Sequence, residues 1–453
     1  MQKLTDAGSS PSLKQQEPEK RSLGDRADRR SPTHSDRHDS RSPFQKDRDR
    51  VLYCDYFSRL SGVTQVVSSA EGSVFHNRLT HSLKVAQVAR RLAERLVAKY
   101  DISTDLLNPD VVETAALAHD LGHPPFGHAA EMELCKLAEK EFGLPDGFEG
   151  NAQTFRILTR LATSRSAGVV GLDLTRASLA AVTKYPWRRD LNEDSKDKAR
   201  RKFGAYEDDL HALDFAIGDR KEQSLEAQIM DVADAITYSV HDLEDFYRAG
   251  LIPLERLMKN RSYLRAFFKR WERDKPNSES RKYMNTDSNF QAVENLLDLV
   301  FKEIAEPGTQ KEAELLEGFR SQAITQFLAG IEYDAASASI SLAEEHDHQT
   351  NFLQRLVWDY VILSPRLSTQ QTGQVRVVRH LARHFHEALT GGELAKVPTR
   401  FRATADELYQ GKNQQTLSRL AIDIVASLSE AEALAIHRKI MGQASGSVLD
   451  LVR

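Results

Sequence analysis

The chain has 453 residues, 28% charged and 40% hydrophobic, the composition of an ordinary water-soluble globular protein long enough to bury a large core as one big domain or two lobes. A formal net charge of -4 excludes a global electrostatic pull toward nucleic acid and leaves room only for a local basic patch. No apolar run is long enough to span a bilayer and no apolar signal core leads the chain, so no membrane association and a cytoplasmic location are expected.

Residues 1–42 are dense in Arg, Asp, Ser, Lys and Gln and cannot bury enough surface to offset their ordering entropy, so a disordered, solvated tail is expected there. Structure should begin near Phe44, with a short helix over Val51–Leu60 and a small β-hairpin made by Val63–Val67 and Ser73–Phe75 around Ala70-Glu71-Gly72, the only strand pair expected. The two cysteines, Cys54 and Cys135, stand in no metal-ligand spacing and are expected to be reduced. From Thr80 the pattern is helical, with Leu83, Val85, Val88, Leu92 and Leu96 at helical spacing and His81 in the first turn. A second helix from about Pro109 is apolar nearly all round and reads as buried.

That helix delivers His119-Asp120-Leu121-Gly122-His123-Pro124-Pro125-Phe126-Gly127-His128-Ala129-Ala130-Glu131, the stretch around which the chain is organised. Polar groups arriving at the end of a buried helix are costly unless something binds them. His119 and His123 read as one helical turn apart, the prolines end the helix, and a new helix from Gly127 to about Phe142 puts His128 and Glu131 on one face. Further helices are expected over Asn151–Leu161 and Leu174–Lys184, then a long charged surface loop over Arg188–Asp209. On the next helix, about Ser224–Ala249, Asp231, Asp234, Tyr238 and Asp242 form a polar stripe among Ile229, Val232, Ile236 and Val240, which suits a lined pocket as well as a solvated face. Beyond Pro253 the pattern stays helical: a segment with Leu257, Tyr263, Phe267 and Trp271, then Ala292–Ile304, Glu312–Leu328, Leu353–Ile362, Val375–Leu389 and Leu417–Met441, with loops at Asn277–Asp287 and Gly391–Thr404. The fold class is therefore all-α. No repeat and no glycine-rich phosphate loop is present in the sequence.

His81, His119, Asp120 and Asp234 can converge from three helices as ligands of a catalytic divalent ion such as Mn, Fe, Ni, Co, Zn or Mg. One buried histidine is more often a satisfied core residue. Here the same segment adds His123, His128 and Glu131 within a backbone framed by Gly and Pro, which favours a metal site with acid–base groups beside it.

The blocks Val74-Phe75-His76-Asn77-Arg78-Leu79-Thr80-His81-Ser82, His119 to His128, Phe148-Glu149-Gly150-Asn151-Ala152-Gln153, Lys184-Tyr185-Pro186-Trp187 and Asp231 to Ser239 occur in an order that resembles the HD-domain superfamily. Within it, the chain is similar to deoxyguanosine triphosphate triphosphohydrolases and their dNTPase relatives over roughly residues 45–250. The resemblance implies a helical HD bundle over 43–260, with 261–453 as a helical region packed on it. It also implies hydrolysis of dGTP or another dNTP to deoxynucleoside and tripolyphosphate. His81, His119, Asp120 and Asp234 would hold the metal, Mg or Mn first, and His128 would be the general acid oriented by Glu131. His123 and Arg78 would meet the phosphates, Tyr238 the sugar–phosphate junction, Gln65 and Asp242 the sugar 3′-hydroxyl, and Glu149 and Asn151 would be further polar pocket groups. Assembly into homo-oligomers and response to a nucleotide effector are further family properties.

The chain departs from the family at Arg59-Leu60-Ser61-Gly62-Val63-Thr64-Gln65-Val66, where a lysine is usual at the position of Val63, and at Ser68-Ser69-Ala70-Glu71-Gly72. One alternative is an HD phosphohydrolase acting on monophosphates, cyclic nucleotides or guanosine tetraphosphate. Those relatives often carry Glu three residues after the His-Asp pair, where this chain has His123, or a second His-His pair, which it lacks. A nucleotide- or single-stranded nucleic-acid-binding regulator is the other alternative. The acidic balance and the lack of a basic–aromatic cluster count against it.

Overall fold

Asn77 opens the first of three helices that carry the site: its side chain accepts from the Thr80 N–H at 2.9 Å, the helix runs Arg78–Tyr100, and Asp101 ends it in the left-handed region at φ 51°. The structure, a computed structural model, describes residues 23–31, 39–66, 76–164, 169–191, 201–274, 287–300 and 308–443. Val85, Ala89, Leu92 and Leu96 form a fully buried stripe on this helix. Each such large side chain stabilises the fold by about 1.5–3 kcal/mol. The second helix, Pro109–Ala118, is capped by Asn108, starts on proline and is buried along almost its whole length. The third, Leu225–Arg248, starts at a Ser224 cap and packs on both of the others.

Among the described residues the architecture is all-α, as the sequence implies, with one small antiparallel hairpin at a place the sequence did not indicate. Ile331–Asp334 pairs with Ser339–Leu342, with Ile331 opposite Leu342. Alternation over four-residue strands is too short a signal to separate from the ends of the flanking helices. Residues 67–75, most of the hairpin expected over Val63–Phe75, lie outside the described residues, and Thr64 and Asn77 on either side share a single antiparallel bridge.

Other differences have local causes. The short helix expected over Val51–Leu60 is two helices, Pro43–Leu52 with a Ser42–Gln45 capping box and Asp55–Arg59, followed by a 3₁₀ turn at Leu60–Gly62. Part of the segment expected to be a solvated tail is docked: Leu23–Ala27 is helical, Arg29 reaches Asp47 at 2.7 Å, and Arg30 donates to the Thr159 carbonyl at 3.0 Å. The arginines that made this segment look disordered are its anchors. The loop expected over Arg188–Asp209 buries Phe203 and Tyr206, and the Trp187 indole donates to the Lys202 carbonyl at 2.7 Å; residues 192–200 lie outside the described residues. The loop at Asn277–Asp287 and the end of Ala292–Ile304 also fall largely outside them, with Asp287–Val300 helical.

The helix Pro365–Thr390 begins ten residues before the expected Val375. Thr399–Gln410 is helical where a loop was expected to reach Thr404, and the stretch Leu417–Met441 is two helices, Gln414–Ala426 and Glu430–Ile440, parted where Ser429 caps the second. Two apolar cores result. The larger joins the three site helices to Phe267, Phe327, Phe352 and Leu356, and the smaller packs Leu134 and Leu137 of the helix Gly127–Lys140 against Phe385, Leu420 and Ile424. Both cores draw on residues from either side of position 260. A buried polar joint adds to them: Arg156 pairs with Asp423 at 3.0 Å and with Asp209 at 2.9 Å.

Candidate active site

The buried helix Pro109–Ala118 ends one residue before the site, and His119 is its C-cap. From there the chain turns rather than continuing helical, with the Leu121 N–H donating to Ala118 and the His123 N–H to Asp120. The Thr154 hydroxyl donates to the His119 carbonyl at 3.0 Å and accepts from the Gly122 N–H at 2.9 Å. Gly122 has to be glycine, since a Cβ there would sit 2.1 Å from the Gly150 carbonyl oxygen. His119 and His123 therefore do not share a helical turn. They serve two separate clusters.

The first cluster is His81, His119 and Asp234, whose candidate ligand atoms all lie within 4.8 Å of one another. His81 Nε2 is 2.9 Å and His119 Nε2 3.6 Å from Asp234 Oδ1. His119 Nδ1 donates to the Ala116 carbonyl at 2.7 Å, which leaves Nε2 buried with no hydrogen-bond partner. A second-shell carbonyl fixing the tautomer and an orphaned inward nitrogen are what a metal-ligating histidine requires, so the residues fit a divalent ion. Asp120 comes within 3.5 Å of His119 Nε2 through Oδ1, while its Oδ2 accepts from Arg78 Nη1 at 2.7 Å. Burial pushes the Asp120 carboxyl up, but Arg78, His119 and His123 outweigh it and hold the group well below the usual carboxylate range. Asp234 is held down in the same way by His119 and His81 against its burial.

The second cluster is His123, His128 and Glu131. The helix Gly127–Lys140 starts after Phe126, a non-glycine residue in the left-handed region at φ 69°, followed by Gly127 at φ 61°. That turn puts His128, whose side chain is 72% exposed, over the His123 ring at a centroid distance of 5.5 Å. His128 Nδ1 lies 2.8 Å from Glu131 Oε2, and the other Glu131 oxygen takes the Gly150 N–H at 3.2 Å and Lys202 Nζ at 3.3 Å. Burial raises the Glu131 carboxyl, but the His128 hydrogen bond and the Lys202 charge lower it further, so it stays ionised. Burial, with Arg78 adding to it, pushes His123 down to about 4, leaving a neutral ring at neutral pH.

A cavity of about 560 Å³ opens on both clusters. It is lined by Gln65, Arg78, His119, Asp120, His123, His128, Asn151, Asp234 and Tyr238 among the residues singled out from sequence. His81, Glu131, Asp242 and Glu149 do not line it; His81 and Glu131 stand behind it, against Asp234 and His128. Asp242 is buried with Oδ2 unpartnered, its carboxyl driven well up by burial and by Asp245 and Asp234. Glu149 caps the helix Gly150–Arg156 by accepting from the Asn151 and Ala152 N–H groups, and it anchors Lys202 at 2.8 Å.

A family model described as HD domain matches residues 78–239, and one described as phosphohydrolase-associated domain matches residues 340–439. A "deoxyguanosinetriphosphate triphosphohydrolase-like protein" of Streptomyces coelicolor is 35% identical over 418 residues, which is 88% of this chain and 92% of that protein. The chain belongs to the deoxyguanosinetriphosphate triphosphohydrolase-like family of HD-domain proteins. A relative of the same name from Shewanella halifaxensis is 29% identical over 90% of this chain and 93% of its own length, and one from Corynebacterium efficiens is 44% identical over 47% of each. The protein is thus an HD-type phosphohydrolase; HD domains are metal-dependent, and the His, Asp and Glu groups of this cavity region could hold a metal ion.

As a member of this family, the chain carries cavity residues that the sequence reading did not single out. Lys184 pairs with Asp231 and Lys202 with Glu149, and both lysines line the cavity. Lys184 opens the Lys-Tyr-Pro-Trp block and Lys202 sits in the long charged loop, so position in a recognised block was the available signal. Further lining comes from Trp358 and Ile362, one π-helical turn apart, and from Leu367, Gln370, Gln371 and Gln374 on one face of the helix Pro365–Thr390. Among the described residues, no helix is long and apolar enough to cross a membrane.

Proposed function

We propose that this phosphohydrolase is a dNTP triphosphohydrolase, releasing deoxynucleoside and intact tripolyphosphate. The observation that carries the reading is the His128–Glu131 pair, 2.8 Å apart, on the same cavity as the His119–Asp120–Asp234 group and three cations, Arg78, Lys184 and Lys202. Three phosphates need distributed positive charge when no glycine-rich loop is present to cradle them. Arg78 is committed to Asp120 and to the Thr64 carbonyl at 3.1 Å, so the two lysines share that role with it.

A water attacks the α-phosphorus as the bond to the 5′-oxygen breaks, His128 passes a proton from Nε2 to the departing oxygen, and the proton shed by the water goes to solvent, from which exposed His128 is reprotonated. The Glu131 carboxylate on Nδ1 keeps the ring oriented, with Nε2 free to face the substrate. Neutral His123 offers a hydrogen bond to a phosphoryl oxygen without adding charge. His81, His119, Asp120 and Asp234 would hold a divalent ion, Mg or Mn, which would supply Lewis-acid neutralisation of the phosphoryl charge. Tyr238 packs at the sugar, where a filled pocket rejects the added volume of a 2′-hydroxyl. Asp242 lies too deep to line the cavity, so Gln65, whose Oε1 is buried without a partner, is the better placed group for the 3′-hydroxyl.

Product analysis with each dNTP in Mg or Mn, for wild type and His128→Ala, tests the reading. Tripolyphosphate plus deoxynucleoside is expected, with turnover in the variant reduced about 10²–10⁴-fold. Orthophosphate or pyrophosphate as the first product would overturn it.

A further inference from the structure

The turn that carries both clusters is tied to the far end of the chain by two side chains that the mechanism does not use. Arg59 donates from Nη2 to the Leu121 and His123 carbonyls at 2.7 and 2.9 Å. Its Nη1 donates to the Ala426 and Leu428 carbonyls at 2.8 and 3.1 Å. The Ala426 carbonyl is the last of the helix Gln414–Ala426, where backbone oxygens lack intrahelical donors and a cation is favoured, and Leu428 lies just past its Ser427 C-cap. One guanidinium thus closes that helix and fixes the backbone between the two clusters.

Glu430, in the first turn of the following helix, makes the second tie. Its Oε1 accepts from the Thr64 N–H at 2.9 Å and the Phe126 N–H at 3.2 Å. Thr64 then passes the restraint on, since its carbonyl takes Arg78 Nε at 3.1 Å and Arg78 holds Asp120 at 2.7 Å. Phe126 is the left-handed residue that launches the helix of His128 and Glu131. A conformation of that kind is strained for a non-glycine residue and persists only where its surroundings hold it. The fit is close: a Cβ on Gly62, between Arg59 and Thr64, would lie 2.9 Å from Ser429 Cβ.

We propose that Arg59 and Glu430 are positioning residues, a two-point clasp through which the C-terminal segment 414–440 sets the geometry of the turn 119–128. The inference rests on the reading of that turn as the reacting site, and its test separates the two. Peptide-level hydrogen exchange over residues 119–128, which needs no substrate, is compared with kcat and KM for wild type, Glu430→Ala and Glu430→Gln. Glu430→Ala should speed exchange in this segment about 10-fold. It should also lower kcat by roughly 10–100-fold with KM within about 2-fold, the signature of misplacement rather than lost binding. Glu430→Gln keeps an acceptor oxygen and should restore both. Arg59→Ala should behave like Glu430→Ala and recover turnover when guanidinium is added. Unchanged exchange in Glu430→Ala, or equal defects in the Ala and Gln variants, would overturn the clasp. Failure of the wild type to hydrolyse any dNTP would overturn the activity reading instead, with exchange still deciding the clasp.

Discussion

The cavity wall built from residues 119–131 and Asp234 is a web of paired charges, whereas the wall built from residues 358–374 presents no charged side chain at all. On the first, the ionisable side chains hold one another: Asp120 is paired with Arg78, His128 with Glu131, and Glu131 with Lys202. On the second, Trp358 is 48% exposed, and no hydrogen bond to the Gln371 or Gln374 side chain is made among the described residues. Groups fixed in advance of the reaction stabilise developing charge without reorganising. Groups left unpaired can take either a donor or an acceptor from a ligand, because an amide carries both. Under the proposed activity, the first wall would carry the chemistry and the second would meet the base, with Trp358 as a stacking face. That assignment extends the proposed activity, and four experiments bear on it.

Removing a ligand from the charged wall should have the largest effect. Asp234→Ala takes away the carboxylate shared by His81 and His119 and leaves two buried imidazoles facing each other at a 5.6 Å centroid distance. Turnover should fall by well over the roughly 10–100-fold that outer-shell changes at metal sites produce. Mn titration followed by paramagnetic resonance should show affinity lost in parallel. Activity without measurable metal binding would break the assignment.

Glu131→Gln comes next. The amide cannot stabilise an imidazolium at His128 Nδ1 as a carboxylate does, and it weakens the hold on Lys202. A loss of about 10²-fold in kcat with little change in KM is expected, within the range of a general-acid contribution. A pure KM effect would move Glu131 to the binding side of the comparison.

How much of this was legible in the sequence follows the same divide. The charged wall could be read because its residues come in short blocks whose spacing is fixed by local backbone: His119-Asp120, His128 with Glu131, Asp234 with Tyr238. Even there, the division of His119 and His123 between two clusters was missed, since it depends on the chain turning at Ala118 rather than running on as helix. Asp242 and Glu149 were placed in the pocket by resemblance, and burial depth, which no pattern of spacing encodes, takes them out of its lining. The glutamine wall had no such signature. A stripe of Gln on a helix looks solvated, and only the packing of Pro365–Thr390 against Gly127–Lys140 turns it toward the cavity. The docked arginines of residues 26–30 were lost for a related reason: their partners, Glu226, Asp47 and Thr159, are remote in sequence.

Gly122→Ala sharpens the comparison from the side of stability. A methyl group 2.1 Å from the Gly150 oxygen and 2.2 Å from the Thr154 nitrogen would force apart two backbones that no side-chain rearrangement can separate. Overpacking of this kind destabilises by about 1–3 kcal/mol. The urea midpoint should drop with the slope unchanged, and residual activity should fall with it because the displaced backbone carries His119 and His123. An unchanged midpoint would mean that the turn is looser than its hydrogen bonds to Thr154 indicate.

The smallest effect belongs to the uncharged wall and decides what it does. Gln371→Leu and Gln374→Leu keep a side chain of similar bulk while deleting its donor and acceptor. If these amides meet the base edge, kcat/KM for the four dNTPs should change unequally, shifting the ratio between best and worst substrate by about 10-fold, the scale of one or two hydrogen bonds to a neutral group. The tripolyphosphate product and the metal dependence should be untouched, since neither amide contacts the charged wall. A flipping amide accepts more than one base, so wild type should hydrolyse several dNTPs within a narrow range and the leucine variants should favour those with fewer exocyclic donors. Equal losses across all four bases would place the glutamines at the sugar or phosphates, and the contrast between the two walls would then be one of charge alone.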